Sequence, residues 1–432
     1  MRALDAVITK NSFKRITFSI VISVLVLMQF SCAYLERAII PPNKSNIIYI
    51  TPTTQYKVIT ADPSVTSVSS LENLSEEQIK GGIQDALNIY TQAYNENNPA
   101  LLDQVVDQEN KPFRRMVRSR FDEFQNSSDA GQYKFNYAIR EIHRVEKGYV
   151  IAHFEEDGGW FADWPFRLSN NGWVLTEPTV DQVGAPKITE TEHFSFTTYP
   201  WADDVNLRII EMMETARQQV QDKLGVAPSE KATVNIVPIY GLNPYETPHA
   251  IAWYSAGGSV NGNDLITIYT PNSFAYSFYD PALGWDGTLQ ITLTHEYTHM
   301  AHERNFHNAG RLADWISEGL AEYVAAAPYN VENACYYYKN GVIIPVLDES
   351  NKVAKQDLMH MTNLEKDTWV AYLYSHALVK FTVDEFDGLD GFWKLANKID
   401  LTGDFKKAVN QTFGISYDEF NRRWQKWLSH QC

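Results

Sequence analysis

Cysteine is scarce: three residues in a chain of 432, too few for a disulfide scaffold or a cysteine-rich metal module. Positive charge is also short, with 37 Lys and Arg against 53 Asp and Glu and a formal net charge of −16. Nucleic acid and an anionic membrane surface both need a basic face, so this balance disfavours either as the main partner. The apolar run near the N-terminus, Ile16 to Phe30, has 15 residues. That is short of the roughly 20 a helix needs to cross a bilayer. Internal repeats and low-complexity tracts are missing as well. What is present is ordinary globular composition, 44% hydrophobic and 21% charged. At about 100–200 residues per domain, it can fill two or three packed cores.

Lys10, Lys14 and Arg15 precede the apolar run, and Ser31-Cys32 follow it. A basic flank with a short apolar core is the anatomy of an export signal. Cys32 resembles the lipid-acceptor cysteine of bacterial lipoproteins, although Gln29 stands where they prefer leucine. Three readings stay open: a lipid anchor at Cys32, an uncleaved apolar anchor, and plain secretion. Each predicts an extracytoplasmic body, and the first two predict attachment to a membrane. Cys335 and Cys432 either pair, as leftover cysteines do in an oxidising compartment, or remain buried thiols. A pair would tie the C-terminal residue to a loop after the helix ending near Ala327.

Four segments follow from the pattern: a signal or anchor at 1–31, a flexible tether at 32–74 rich in Pro, Ser, Thr and Asn, a first folded domain at 75–183, and a second at 184–432. In the first domain, Ser75-Glu76-Glu77 start a helix carrying Ile79, Ile83, Leu87, Tyr90 and Tyr94 at helical spacing. A second helical stretch runs from Leu101 to Phe124. From Phe135 the period turns towards two, with strands around Tyr137–Ile142, Tyr149–Phe154, Trp164–Leu168 and Gly172–Leu175. Asn170-Asn171-Gly172 supplies a hairpin turn. The second domain opens after Gly184-Ala185-Pro186 with a strand at His193–Tyr199 and a helix at Val205–Leu224. Strands at Thr233–Ile239 and Asp264–Thr270 follow, and beyond Thr288 the chain reads as mostly helical. The class is α+β.

The chemistry concentrates in Thr294-His295-Glu296-Tyr297-Thr298-His299-Met300. Histidines four apart share one helix face and can converge on one metal ion. A random HExxH turns up in roughly one or two chains per hundred of this composition, so context decides. Glu318 lies 18 residues beyond the spacer's start, giving HExxH-x18-E, and it sits in its own helix pattern, Asp314–Val324. The metzincin pattern fails, because its glycine and histidine positions hold His302 and Asn305.

These motifs resemble the gluzincin zinc peptidases, specifically the peptidase MA-like group related to thermolysin and to the aminopeptidase and leukotriene-hydrolase families. The likeness covers about 190–432. It implies a thermolysin-like mixed-sheet and helical zincin domain with one catalytic Zn2+ held by His295, His299 and Glu318. That ligand set leaves an open position, as catalytic sites do. The resemblance makes Glu296 the general base and Glu322, one turn after Glu318, the partner of a ligand histidine. Tyr372, within Trp369–Phe381, becomes the oxyanion donor, with Tyr374 and His376 as rivals. His302 and His307 read as surface or outer groups, and His249 and His360 carry no assignment. Phe413–Leu428 resembles the closing helix of the group. The strand Asp264–Thr270 takes the place of the edge strand that pairs with substrate backbone. The aminopeptidases carry a Gly-x-Met-Glu-Asn motif nearby, whereas Ser255–Asp264 holds no such glutamate. Endopeptidase action is therefore favoured over aminopeptidase action.

Residues 75–183 resemble, in architecture alone, the cone-shaped nuclear transport factor 2-like fold of helices on a curved antiparallel sheet. Trp160, Phe161 and Trp164 either line a pocket there or form core. The expected activity is zinc-dependent hydrolysis of a peptide or protein substrate on the outer face of a membrane. The competing class is a cell-surface ligand-binding protein, with the cone domain as working part and a weak or inactive peptidase-like domain. The oligomeric state and the substrate leave no trace in the sequence.

Overall fold

Ser75 opens the first helix through a reciprocal cap. Its hydroxyl accepts the Gln78 N–H at 3.2 Å, and the Gln78 side chain accepts the Ser75 N–H at 2.8 Å. Helix α1 (Glu76–Asn95) follows and buries Ile79, Ile83, Leu87, Tyr90 and Tyr94. In this computed structural model the described residues run from 71 to 432, except 127–129, 132, 158, 171, 244–249, 260–262, 277, 305–311, 326–329, 349–355 and 365–367. The signal or anchor, Cys32, nearly all of the tether, His249 and His307 lie outside them. No helix of the described residues is long and apolar enough to cross a membrane.

The single helical stretch expected from Leu101 to Phe124 is two helices, α2 (Pro99–Val105) and α3 (Lys111–Asn126). Pro112 is tolerated only in a first turn, so α3 must start anew there, and Asp107 holds the break. Its N–H donates to the Leu175 carbonyl at 3.0 Å, and its carboxylate accepts Arg167 Nη2 at 2.8 Å and Thr176 Oγ1 at 2.9 Å. A continuous helix would strand these buried polar groups.

Strands β1 (Tyr137–Arg144), β2 (Tyr149–Glu156), β3 (Trp160–Ser169) and β4 (Gly172–Leu175) form an antiparallel sheet in sequence order. Helix α1 lies on it so closely that a Cβ on Gly82 would meet the Trp173 indole at 2.4 Å. Trp164 is core rather than pocket wall. Its ring packs against Phe154 at 4.7 Å and Tyr90 at 5.5 Å, and against Phe274 at 4.5 Å and Phe278 at 5.6 Å from the second half of the chain.

The second sheet is mixed: β5 (Lys187–Glu190), β6 (Phe194–Thr198), β7 (Ala232–Val237), β9 (Leu265–Tyr269) and β8 (Ala252–Ser255), in that spatial order. Strands β6, β7 and β9 run parallel, and β5 and β8 are antiparallel additions at the two edges. The expected edge strand, Asp264–Thr270, is therefore interior. The edge belongs to β8, a four-residue strand too short to show a period in the sequence.

Alternation along these strands divides two cores. Val234, Ile236, Ile266 and Ile268 face α4 (Asp203–Leu224) and α5 (Gly284–Glu303), within one apolar cluster. Val237, Trp253 and Tyr269 point the other way and join Phe274 and Phe278 in the core of the first sheet. That core therefore draws on both sides of residue 184. The remaining helices are α6 (Asp314–Ala325), α7 (Asn330–Lys339), α8 (Thr368–Glu385), α9 (Gly388–Thr402), α10 (Phe405–Phe413) and α11 (Tyr417–Gln431). Cys335 and Cys432 form a disulfide across 97 residues. Cys335 lies within α7 rather than in a loop, so the bond ties α7 to the end of α11. The fold is α+β.

Candidate metal centre

Helix α5 is held by its flanks. Leu289, Leu293, Tyr297 and Met300 are buried in the larger core. Thr294 Oγ1 donates to Gln219 Oε1 of α4 at 2.6 Å, and Gln290 Nε2 donates to the Met212 carbonyl at 3.2 Å. These contacts fix the rotation of α5, so the face carrying His295 and His299 turns towards α6.

Helix α6 must approach closely to answer it. Gly319 packs against the backbone of Ser375 on α8, where a Cβ would meet the Ser375 carbonyl oxygen at 2.5 Å. This contact seats Glu318 over the two histidines. His295 Nε2 and His299 Nε2 are 3.0 Å apart, and each lies 3.3 Å from Glu318 Oε2.

Three buried lone-pair donors thus face one point. Glu318 Oε2 accepts no hydrogen bond among the described residues, despite the two nearby nitrogens. A tetrahedral ion with bonds of about 2.0–2.1 Å sets its ligand atoms roughly 3.3 Å apart, which is the spacing observed. The trio could hold a metal ion, and the donor set fits one. Burial alone would raise the Glu318 carboxyl, but the His299 and His295 imidazoles prevail and hold it well below the usual carboxylate range. Burial opposes charge on His299 in turn, and the Glu318 carboxylate outweighs it and raises that ring.

The other expected residues surround this triangle. His295 Nδ1 lies 3.1 Å from Glu322 Oε1, the pairing that the resemblance implied. Glu296 is buried, and its Oε2 accepts the Tyr254 N–H of β8 at 2.9 Å. Tyr372 of α8 is fully buried, with its ring centroid 6.4 Å from that of His295. Tyr374 is drawn away, donating its hydroxyl to the Val342 carbonyl at 2.6 Å. His376 lies against Tyr323, and burial lowers its pKa. His360 is remote from the trio in its contacts, its Nδ1 lying 2.8 Å from Asp357 Oδ1. Glu303 is partly buried near Tyr254, and burial raises its carboxyl.

Two features escaped sequence reasoning. Ser317 sets its hydroxyl 3.2 Å from His299 Nδ1 and 2.9 Å from His302 Nε2. Of the two expectations for His302, surface or outer group, the structure supports the second: it is 1% exposed, and burial pushes its pKa down to about 3, with His299 adding to the effect. Its position one turn after His299 was the available signal. The second feature is the β8 edge. Ile251 accepts the Tyr269 N–H at 2.8 Å, so in this antiparallel pair Ala252 and Tyr254 turn their backbone groups away from β9, towards α5.

No protein-family model matches the chain, and a search of curated proteins finds no significant relative.

Proposed function

We propose that the protein is an extracytoplasmic, membrane-anchored zinc metallopeptidase, with endopeptidase action favoured, that hydrolyses peptide bonds in a peptide or protein substrate. The proposal includes the finer likenesses, a nuclear transport factor 2-like cone at 75–183 and a thermolysin-like gluzincin domain at 184–432. The observation that carries it is the triangle of His295 Nε2, His299 Nε2 and Glu318 Oε2 at 3.0–3.3 Å, with a carboxylate that is not part of the triangle, Glu296, next to it on the same helix.

Two imidazoles and one carboxylate suit zinc and leave a coordination position open; the ion, when bound, supplies Lewis acidity and an acidified water. The chain's own residues do the rest. The Tyr254 N–H fixes one oxygen of Glu296 and so orients the carboxylate. Glu296 accepts the proton of the attacking water and passes it to the leaving amine. The outward backbone groups of Ala252 and the outward carbonyl of Tyr254, whose N–H is taken by Glu296, give an extended substrate a strand to pair with. Glu322 holds His295 in the tautomer that keeps Nε2 for the metal. Tyr372 is assigned to the developing oxyanion, through its hydroxyl.

The rival reading, a ligand-binding cone, would need an open interior. Phe274 and Phe278 fill the space around Trp164 from the other half, which favours a packing role for the first domain. The deciding experiment is digestion of a peptide library by the purified full chain, with and without chelator, beside metal analysis. Chelator-sensitive cleavage with one zinc per chain is expected. Stoichiometric zinc with no cleaved peptide would refute the activity.

A further inference from the structure

Ser317 stands between two buried histidines, its hydroxyl oxygen within hydrogen-bond distance of a ring nitrogen of each. On the reading that His299 meets a metal through Nε2, its ring is neutral and carries its proton on Nδ1. That N–H points to Ser317 Oγ at 3.2 Å. A hydroxyl has one proton to give. Ser317 cannot return it to His299 Nδ1, which is already a donor, and His302 Nε2 lies 2.9 Å away on its other side.

We infer that Ser317 and His302 are positioning residues of the metal centre, forming a directed chain His299 Nδ1–H to Ser317 Oγ–H to His302 Nε2. This inference rests on the proposed metal reading. It makes His302 an acceptor for the outer shell and not a fourth ligand. The opposite direction, His302 to Ser317 to His299, needs a lone pair on His299 Nδ1 and therefore a proton on Nε2, which would block the metal. The chain thus selects the tautomer of His299 that can bind. Ser317 polarised by His302 is also a better acceptor than serine alone, which strengthens the donor character of His299 Nε2. The same arrangement accounts for a fully buried histidine with no catalytic assignment on the metal helix. It also makes α6 carry a ligand and a positioning group in adjacent residues, Ser317 and Glu318.

The test is chelator competition for zinc in the full chain, read beside thermal unfolding. Ser317→Ala is expected to weaken zinc about 10–100-fold, the range for outer-shell groups, and Ser317→Thr, which keeps the hydroxyl, to restore most of it. His302→Gln offers an acceptor oxygen and should stay within a few-fold of wild type, whereas His302→Leu should match Ser317→Ala. The double variant Ser317→Ala/His302→Leu should be no worse than either single change, because the two act in series. Nitrogen NMR of the histidine rings in the zinc form should find His302 protonated on Nδ1. Losses that add in the double variant, unchanged affinity in Ser317→Ala, or a His302→Gln protein that holds no zinc would each overturn the chain. A folded wild type that binds no zinc would overturn the metal reading itself. Zinc binding with no peptide cleavage would refute the proposed activity alone and leave the chain standing.

Discussion

Glu177 accepts the backbone N–H of Phe274 at 2.9 Å, and this bond joins the end of the first sheet to the segment that leads into α5, the helix of His295 and His299. The same carboxylate accepts Ser273 Oγ at 2.7 Å and the Tyr240 N–H at 2.7 Å. From the opposite side, Arg120 of α3 donates to the Phe274 and Ala275 carbonyls at 3.0 and 3.1 Å. The first half of the chain therefore clamps residues 273–275, nine positions before α5 begins at Gly284. Its aromatic core closes on Phe274 and Phe278. The two halves share a core, and the first helps to aim α5.

Glu177 also sets a pH dependence. Burial pushes its carboxyl up to about 7 against the pull of its three donors. The folded pKa is thus raised above the unfolded value, so the folded state binds more protons between the two. Stability tied to this group is complete below about 4.5 and declines as pH rises through about 7. Thermal unfolding of Glu177→Gln should show that decline flattened across the window. An undiminished slope in the variant would locate its origin elsewhere.

Glu296→Gln keeps the size and position of the side chain but removes the base. Zinc content should remain at about one per chain while kcat/KM falls about 10²–10⁴-fold, the usual worth of a general base. Hydrolysis equal to wild type would remove Glu296 from the mechanism.

Glu318→Ala takes away one of three ligands and leaves two buried imidazoles 3.0 Å apart. Zinc affinity should fall by more than the roughly 10–100-fold of an outer-shell change, read by chelator competition. Unchanged zinc content would show that the third ligand is another residue.

Gly319→Ala tests the closeness of α6 and α8. Alanine favours a helix by about 1 kcal/mol, but here its Cβ would meet a backbone oxygen at 2.5 Å. Overpacking of this kind costs about 1–3 kcal/mol. Chemical denaturation should therefore find the variant equal to or less stable than wild type, with weaker zinc binding as Glu318 shifts. A stabilised variant with unaltered zinc affinity would contradict the packing argument.

Much of the centre was legible because its parts lie on two helices with fixed periods. His295 and His299 follow from spacing along α5, Glu318 and Glu322 were named by the gluzincin resemblance, and the structure brings all four together. Local signals also located α1, since the Ser75 cap uses residues only three apart. The misses have one origin. Pro112 was a local sign of the break after Asp107, but nothing local reveals that Arg167 and Thr176 await the Asp107 carboxylate. Strand β8 was overlooked because four residues carry no usable period, and the edge was assigned to its interior neighbour. The pairing of Cys335 with Cys432 stayed open because 97 residues separate them.

The sequence by itself determined the residue types, the helix faces and the shared face of His295 and His299, because periodicity and capping act within a turn or two of chain. Tertiary structure decided the rest: that Gly319 lets α6 close on α8, that Phe274 and Phe278 fill the first core, and that Ser317 joins His299 to His302. Each of these depends on atoms remote in sequence meeting at van der Waals or hydrogen-bond distance, and no local pattern encodes such a meeting.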